Sequence, residues 1–302
     1  MIALLAPGQG SQTEGMLSPW LELPGAADQL ALWSKASGLD LVRLGTTAST
    51  EEITDTAVTQ PLVVASTLLA HQELSRRGLL DSAEIIAAGH SVGEIAAYAI
   101  AGVMGADDAV ALAATRGAEM AKACALEPTG MSAVLGGDEA EVLTRLEHLD
   151  LFPANRNGAG QIVAAGPLTA LDKLAEDPPA KARVRALGVA GAFHTQYMAS
   201  ALDAYAAAAA AIVTAEPTAT LLSNRDGKPV TTAAAAMDAL VAQLTQPVRW
   251  DLCTDTLREH NVTAIVEFPP AGTLTGIAKR ELRGVTARAV TSPADLDELA
   301  NL

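Results

Sequence analysis

The segment 84–102 constrains the fold of this chain most strongly, because it has the pattern of a buried strand, a turn without room for side chains and an apolar helix. Gly89 and Gly93 flank Ser91 at the G-x-S-x-G spacing, which is typical of a strand-to-helix elbow where two backbones nearly touch. Such an elbow holds a serine hydroxyl at a helix N-terminus, where free N–H groups favour developing negative charge. The spacing therefore makes Ser91 a candidate nucleophile.

A structural interpretation of the same serine is also available. Ser91 and Glu94 stand at the S-x-x-E spacing of a capping box, in which the serine caps the first turn of a helix. The two roles are compatible, and the spacing alone leaves both open.

Composition excludes several classes of protein. With 302 residues, 50% of them hydrophobic, the chain can bury one large core or one core and a smaller domain, which excludes general disorder. Aromatic residues make up only 3% of the chain, which disfavours surfaces that stack nucleic-acid bases. A formal net charge of -15 would repel nucleic acids and anionic membranes. We therefore expect neither as a partner, and an anionic substrate would need a local basic site.

The cysteines and the N-terminus indicate a cytoplasmic protein. Cys124 and Cys253 lack a C-x-x-C spacing, so we expect free thiols in a reducing compartment. Residues 1–7 lack a basic region and end at a proline, which predicts a first strand instead of a signal peptide. The longest apolar run, 204–215, is too short to span a bilayer. We expect no metal site, because no His, Cys or carboxylate cluster has ligand spacing.

Alternation of strand-like and Ala-rich helical stretches predicts an α/β fold with a mainly parallel sheet. The predicted strands are 2–6, 85–88, 220–223 and 264–268, and the predicted helices are 60–77, 106–124 and 201–214. We expect an α/β-hydrolase-like catalytic domain formed by 1–124 and 198–302.

The segment 125–197 has a different order, strand, helix, two strands, helix and strand. The predicted elements are a strand at 131–136, a helix at 138–148, two strands within 153–165 that turn at 155–158, a helix at 168–175 and a strand at 181–187. This β-α-β-β-α-β order predicts a ferredoxin-like subdomain inserted into the larger domain.

A serine needs a base to become nucleophilic at neutral pH, and five histidines are available. His194 lies in an apolar, glycine-led loop where the small subdomain would return to the large domain, and clefts form at such junctions. It is therefore the candidate base. The other histidines are expected to be structural or solvated, with the His90 side chain pointing away from that of Ser91: His71, His90, His148 and His260.

The loop after the first strand, 8–12, begins like a dinucleotide-binding fingerprint but has Thr13 where the third glycine would stand. It is better interpreted as exposing backbone N–H groups toward a cleft. The amides of Gln9 and Val92 are the candidate donors of an oxyanion hole. An ordinary loop at a strand end fits the spacing equally well.

Arg116 is the only charged residue in the run 109–117. Glu119 at i+3 could pair with it on a helix surface. Alternatively, the guanidinium could hold a substrate carboxylate through two charge-assisted hydrogen bonds, each worth roughly 1.5 to 3 kcal/mol. The second interpretation predicts an enzyme that selects acid-bearing substrates.

Taken together, these motifs resemble the malonyl-CoA:acyl carrier protein transacylase family, acyltransferases of type II fatty acid synthesis that are related to polyketide acyltransferase domains. The resemblance spans nearly the whole chain, and its motifs are weak singly but specific together. They are Pro7-Gly-Gln-Gly-Ser-Gln12, Thr59-Gln-Pro61, Gly89-His-Ser-Val-Gly-Glu94, Arg116-Gly117, Asn155-x-Asn157 with Gln161-Ile-Val163, Ala192-Phe-His194 and Pro247-Val-x-Trp250.

The resemblance implies that Ser91 takes malonyl from coenzyme A as an ester and passes it to the phosphopantetheine thiol of an acyl carrier protein. It implies His194 as general base and acid, oriented by the main-chain carbonyl of Gln243 instead of a carboxylate. It also implies that the amides of Gln9 and Val92 hold the oxyanion. Malonyl-CoA would be the substrate and coenzyme A the product, with no permanently bound cofactor, and the enzyme would be a monomer that meets the carrier protein transiently.

The resemblance also implies a set of substrate-binding residues. Arg116 would bind the malonyl carboxylate, and Gln60 and Asn155 would contribute to the same pocket. Phe193 would occupy the space that a 2-methyl branch requires, so malonyl would be preferred over methylmalonyl by about 1 to 3 kcal/mol.

Two positions depart from the family pattern. Gln246 stands where an Asn is common, which leaves open whether Gln243 or Gln246 shapes that wall and orients the histidine. The late motif usually reads Glu-x-Gly-Pro-Gly, whereas residues 267–272 read Glu-Phe-Pro-Pro-Ala-Gly, so the course of the loop near 269 is open as well.

An acidic carrier protein requires a basic docking patch on a chain this acidic. Two clusters are candidates, although each could be ordinary solvated surface. They are Lys181, Arg183 and Arg185, which alternate on a predicted strand, and Lys279, Arg280 and Arg283, which share a predicted helix.

Two other functions remain as alternatives. An α/β-hydrolase-like esterase or thioesterase would use the same elbow but release the acyl group to water. A non-catalytic scaffold that binds a carrier protein would use Ser91 only as a helix cap.

Overall fold

The computed structural model describes residues 1–81, 83–158 and 160–302, which form two β-sheets surrounded by helices. The strands are β1 Ile2–Ala6, β2 Ile85–Gly89, β3 Thr129–Gly136, β4 Phe152–Gly158, β5 Gln161–Pro167, β6 Ala182–Ala186, β7 Thr220–Leu222, β8 Pro229–Val230, β9 Val248–Arg249, β10 Ala264–Glu267 and β11 Thr286–Ala289. The helices are α1 Ala26–Ser37, α2 Leu41–Thr46, α3 Thr50–Thr54, α4 Thr56–Arg76, α5 Gly93–Ile100, α6 Ala106–Cys124, α7 Glu139–His148, α8 Leu168–Glu176, α9 Leu202–Ala210, α10 Ala233–Ala242, α11 Trp250–Glu259 and α12 Thr273–Glu281.

The larger sheet is buried on both faces. Its order is β11-β10-β1-β2-β7-β8, and all neighbours are parallel except β8, which is antiparallel to β7. Along the central strand β1, Leu4 and Ala6 pack into one hydrophobic core while Ala3 and Leu5 pack into the core on the opposite face. Apolar residues at every position are what a parallel sheet covered by helices on both sides requires. The predicted α/β class is confirmed.

The smaller sheet has the order β6-β3-β5-β4-β9, with antiparallel neighbours except for the parallel pair β4 and β9. One face, which includes Val134 and Ile162, packs under α7 and α8. The alternate residues Ala133 and Val163 face a cavity between this sheet and the elements of the larger one. A small sheet with one helix-covered face therefore supplies a wall of that cavity.

Several predicted boundaries are corrected by the structure. The predicted helix at 60–77 begins at Thr56, and the predicted strand at 220–223 ends at Leu222. The predicted turn at 155–158 is wrong, because those residues belong to β4. Two register shifts against β5, at Pro153/Asn155 and Arg156/Gly158, keep this Asn-rich segment in the sheet.

The predicted helix at 201–214 is also too long, since α9 begins at Leu202 and ends at Ala210. Its alanine run favours a helix. The N–H groups of Ala215 and Thr218 instead donate to the carbonyls of Val103 and Ala101, which draws the chain away from the helix axis.

A steric constraint defines the turn between β2 and α5. A methyl group on Gly89 would collide with the backbone of Gly93, and a methyl group on Gly93 would collide with the carbonyl of Ala6. Between the two glycines Ser91 adopts φ of 55°. A left-handed conformation costs a non-glycine residue roughly 1 to 3 kcal/mol and persists only where the surroundings impose it.

The described part of the chain contains no helix that is both long enough and apolar enough to cross a membrane.

The elbow predicts a contrast between two glycine substitutions. Gly93→Ala should lower the free energy of unfolding by about 1 to 3 kcal/mol, because the new methyl group has no space. Gly276→Ala in α12 is the matched control, since no atom lies within 4 Å of the added methyl group, and it should be neutral or slightly stabilising. Urea unfolding of both variants measures the difference. Equal stabilities would contradict the steric account of the elbow.

Candidate active site

Ser91 and His194 lie in contact, although 103 positions separate them in the sequence. The Oγ of Ser91 is 2.7 Å from Nε2 of His194, whose side chain is 3% exposed. Nδ1 of His194 lies 2.8 Å from the main-chain carbonyl oxygen of Gln243. Because a carbonyl oxygen can only accept, Nδ1 carries the ring proton and Nε2 is left to accept the hydrogen bond of the serine hydroxyl. This is the geometry of a nucleophile and its general base.

The surroundings keep His194 uncharged. Burial lowers the pKa of His194 to about 3, and the positive charge of Arg116 acts in the same direction. The hydrogen bond to the carbonyl of Gln243 opposes this shift. A neutral imidazole at physiological pH is the form that can take a proton from a hydroxyl.

The capping-box interpretation of Ser91 is wrong. The N-cap of α5 is Val92, and it makes no side-chain cap. The hydroxyl of Ser91 instead faces His194 and, at 3.4 Å, Nη2 of Arg116. The carboxyl group of Glu94 points inward, where it accepts hydrogen bonds from the Asn224 N–H and the Gln243 side chain.

Arg116 is buried, with 1% of its surface exposed. Its guanidinium donates to the side-chain oxygens of Gln60 at 2.8 Å and of Gln243 at 2.9 Å. The predicted surface pair with Glu119 is wrong, because Glu119 pairs with Lys122 at 2.6 Å. The charge of Arg116 is thus held by neutral amide oxygens and remains available to an anion that enters the site.

A cavity of about 180 Å³ joins these groups. Val92 and Gln9 line it beside Ser91, and neither backbone amide donates to a protein acceptor among the residues described. Both are free to stabilise an oxyanion. The other lining side chains include Gln60, Met120, Met131, Asn155, Asn157, Val163, Phe193, Leu274 and Ile277.

The remaining histidines do not reach Ser91 as a base. His90 lines the cavity but faces Asn157, whose Oδ1 lies 2.9 Å from its Nε2, and its ring packs edge-on against Trp250. Burial lowers the pKa of His71, in α4, to about 4. His148 ends α7, and His260 follows α11.

Sequence reasoning missed Asn224 and the inward role of Glu94. Asn224 lies shortly after β7, at the carboxyl edge of the parallel sheet, and is completely buried. Ligand and catalytic groups in parallel sheets collect at this edge. A buried asparagine after a short apolar strand is the signal that could have found it.

The two departures from the family pattern have structural outcomes. Gln246 is exposed, whereas the buried Gln243 supplies the carbonyl that contacts His194. In the loop near 269, the Glu267 carboxylate accepts hydrogen bonds from the N–H groups of Leu274 and Thr275 and so caps the start of α12.

The basic residues predicted to dock a partner are exposed. Lys181 precedes β6, and Arg183 and Arg185 lie within this edge strand. Lys279 and Arg280 lie in α12, but Arg283 falls in the turn after it, which corrects the prediction of a shared helix. Cys124 and Cys253 are free thiols. Across the described ranges, no three His, Cys, Asp or Glu side chains are grouped so that they could hold a metal ion.

This chain is similar to known acyl transferases. The sequence profile of the acyl transferase domain matches residues 4–294. The malonyl CoA-acyl carrier protein transacylase of Mycobacterium tuberculosis strain H37Rv is 85% identical over 302 residues, which is 100% of both chains. The protein of the same name from Escherichia coli K12 is 33% identical, over 97% of this chain and 96% of its own.

Solved structures show the same fold. The crystal structure of MCAT from Mycobacterium tuberculosis superposes with a TM-score of 0.98 at 85% identity, over 100% of both chains. A malonyl-transacylase solved in complex with its type II PKS acyl-carrier protein superposes with a TM-score of 0.93 at 30% identity, over 99% of both chains.

The lowered pKa of His194 predicts an unusual pH dependence of Ser91 reactivity. Because the base stays neutral until the pH approaches about 3, the rate of modification of Ser91 by a small sulfonyl fluoride should stay nearly constant from about pH 8 to about pH 5. An ordinary histidine would lose half of that rate near its unperturbed pKa of about 6.5. Intact-mass measurement of the modified fraction over time checks this, with His194→Gln as the control that lacks the base. A halving of the rate near pH 6.5 would contradict it.

Proposed function

Since the chain belongs to the malonyl-CoA:acyl carrier protein transacylases, within the acyl transferase domain family, we propose that Ser91 carries the malonyl group as an ester between two thiols. The enzyme transfers malonyl from coenzyme A to an acyl carrier protein and so supplies fatty acid synthesis. The observation that carries the mechanism is the contact of 2.7 Å between Ser91 Oγ and His194 Nε2 in a cavity that also holds the guanidinium of Arg116.

In the first half-reaction, Ser91 Oγ attacks the thioester carbonyl of malonyl-CoA while its proton passes to His194 Nε2. The resulting oxyanion is held by the amides of Gln9 and Val92. The tetrahedral intermediate collapses as the carbon–sulfur bond breaks, and the proton on Nε2 passes to the departing thiolate of coenzyme A. The main-chain carbonyl of Gln243 stabilises the imidazolium through Nδ1.

The second half-reaction repeats these steps with another thiol. The phosphopantetheine thiol of the carrier protein gives its proton to His194 Nε2 and attacks the ester carbonyl. The same two amides hold the oxyanion. The bond to Ser91 Oγ then breaks, and Nε2 returns the proton to the serine.

Substrate selection follows from the walls of the cavity. Arg116 binds the malonyl carboxylate in two parallel hydrogen bonds, with Gln60 holding the guanidinium from behind. Asn155 adds a polar group to the same pocket. Phe193 fills the volume beside the carbon between the two carbonyl groups and disfavours a methyl branch there.

The alternative functions are not favoured. A hydrolase of the α/β-hydrolase type would normally orient its histidine with an Asp or Glu, whereas His194 is oriented by a main-chain carbonyl. A non-catalytic scaffold would need Ser91 only as a helix cap, and Ser91 does not cap α5.

The division of the chain stays a proposal. The segment 125–197 contains β3, α7, β4, β5, α8 and β6, and the strand order β6-β3-β5-β4 supports its description as a ferredoxin-like subdomain. The segments 1–124 and 198–302 would then form the α/β-hydrolase-like domain. The cytoplasmic location and the monomeric state stay predictions from the sequence.

We propose that the carrier protein docks at the cavity mouth. In the small sheet, Arg183 pairs with Leu135, which in turn pairs with Gln161, and Nη2 of Arg280 lies 3.5 Å from Oε1 of Gln161. Gln161 lines the cavity and Leu135 is 40% exposed. The two basic clusters predicted separately therefore flank one apolar residue at the mouth. An acidic carrier protein would be attracted to this basic surface, whereas the strongly acidic remainder of the chain would repel it.

Brief exposure to malonyl-CoA without carrier protein should add one malonyl group to the enzyme. We expect this adduct in intact-mass spectra of the native chain and its loss in Ser91→Ala, because the ester forms on Ser91. Without a thiol acceptor the adduct should last longer than many turnovers take when carrier protein is present, since a transferase passes its acyl group to a thiol in preference to water. Rapid loss of the adduct to water would favour a thioesterase, and an adduct on Ser91→Ala would place the ester elsewhere.

Charge reversal at the mouth should weaken carrier-protein binding. Replacing Arg183 and Arg185 with Glu should raise the KM for carrier protein about tenfold and flatten its dependence on salt, because long-range attraction becomes repulsion. Lys35→Glu, exposed on α1, is the control with the same type of charge change. Steady-state kinetics over a salt series measures both. An unchanged KM for carrier protein, or an equal rise in the KM for malonyl-CoA, would contradict carrier-protein docking here.

A further inference from the structure

A buried carboxyl group that the proposed chemistry does not use lies directly behind the nucleophile. Glu94 is completely buried in the first turn of α5. One of its oxygens accepts the N–H of Asn224, and the other accepts a hydrogen bond from the side-chain amide of Gln243. Burying a carboxyl group is costly unless its hydrogen bonds are satisfied. The two hydrogen bonds of Glu94 therefore identify the groups that it holds in place, Asn224 and Gln243.

The first contact leads to the elbow. The side chain of Asn224 accepts the N–H of Ser91 at 2.9 Å through Oδ1 and donates to the carbonyl of Gly89 at 2.7 Å through Nδ2. One amide group thus bridges the two sides of the turn that holds Ser91 in its left-handed conformation. Glu94 fixes the backbone of Asn224 and thereby places this bridge.

The second contact leads to Arg116. A guanidinium only donates hydrogen bonds, so Oε1 of Gln243 must face Arg116 and the NH₂ group of Gln243 must face Glu94. That Oε1 accepts Nη2 of Arg116 at 2.9 Å. The orientation of the Gln243 amide is therefore set by the acceptor oxygen of Glu94 on one side and by the guanidinium of Arg116 on the other.

The Gln243 amide also keeps Glu94 and Arg116 out of direct contact. If Glu94 touched Arg116 directly, a substrate carboxylate would have to displace an ion pair to bind. With the amide between them, Glu94 orients the guanidinium through a neutral group and leaves its charge to the substrate. Burial raises the pKa of Glu94 to about 8, and its N–H donors and Arg116 oppose that rise.

We propose that Glu94 is a positioning residue that acts on both halves of the site, through Asn224 on the nucleophile elbow and through Gln243 on the orientation of Arg116. This inference rests on the proposed function, in which Arg116 binds the malonyl carboxylate. Its consequence is that one buried group couples the rate of ester formation to the choice of acyl group.

The test compares the rate of ester formation on Ser91 from malonyl-CoA and from acetyl-CoA, which lacks the carboxylate, in single turnovers followed by intact mass. Glu94→Gln keeps the side-chain size but leaves one acceptor oxygen for the two N–H donors of Asn224 and Gln243. It should slow ester formation from acetyl-CoA about tenfold through the elbow and from malonyl-CoA about a hundredfold, so the malonyl-to-acetyl rate ratio falls about tenfold. Asn224→Ala removes the elbow bridge and the weaker 3.2 Å contact to the Gln243 amide, but it leaves Glu94 to hold that amide. It should therefore slow both reactions and lower the ratio much less than Glu94→Gln does.

Arg116→Ala separates the failure of this inference from failure of the proposed function. If Arg116→Ala lowers the ratio but Glu94→Gln keeps that of the native enzyme, Glu94 has no role in orienting Arg116. If Arg116→Ala leaves the ratio unchanged, the carboxylate clamp itself is wrong. A ratio that falls as far in Asn224→Ala as in Glu94→Gln would also overturn the two separate routes.

A second variant covers the case in which Glu94→Gln does not fold, as judged by urea unfolding. Gln243→Met keeps the main-chain carbonyl that orients His194 but removes the amide between Glu94 and Arg116. We expect the malonyl-to-acetyl ratio to fall about tenfold in this variant. An unchanged ratio would overturn the proposal.

Discussion

The close approach of β2 and α5 is the constraint on which the site depends. Because no Cβ fits at Gly89 or Gly93, the chain turns within a few residues and forces Ser91 into a left-handed conformation. The turn follows β2, an inner strand of the larger sheet, and the side chain of Asn224 accepts a hydrogen bond from the Ser91 N–H within it. A serine placed in this way directs its hydroxyl into the cavity instead of onto the first turn of the helix. Its Oγ then lies within hydrogen-bond distance of His194 Nε2.

The charge of Arg116 is the second feature on which the site depends. Among the residues that the structure describes, the cavity is lined by one permanent cation, Arg116, and by His194, whose pKa falls because of burial and of that cation. Neutral amides from Gln60 and Gln243 hold the guanidinium without neutralising it. A carboxylate that enters the cavity therefore meets an oriented charge in a region with little water, where such a contact is stronger than at the surface. Burial and the charge of Arg116 thus lower the pKa of the base and also underlie the proposed binding of a diacid.

Sequence reasoning succeeded where the pattern is local. Alternation of apolar strands with Ala-rich helices gave the α/β class, and the glycine spacing gave the elbow. It was wrong where distant partners decide the outcome. Residues 211–214 leave the helix because nearby N–H groups pair with carbonyls near residue 102, and residues 155–158 stay in a strand because bulges against β5 accommodate them. It overlooked Asn224 and the inward carboxyl group of Glu94, because both act through contacts across more than 100 positions.

The amino-acid sequence by itself determined the chemical groups: a serine between two glycines, a histidine in an apolar loop, an arginine in an apolar helix and an acidic chain with few basic clusters. Tertiary structure decided which of these groups meet. The competing roles of Ser91 as a cap and of Arg116 as a surface partner of Glu119 satisfy the same local spacing as the roles they have in the structure. Only burial, which removes water and leaves each polar group to find a specific partner, distinguishes them.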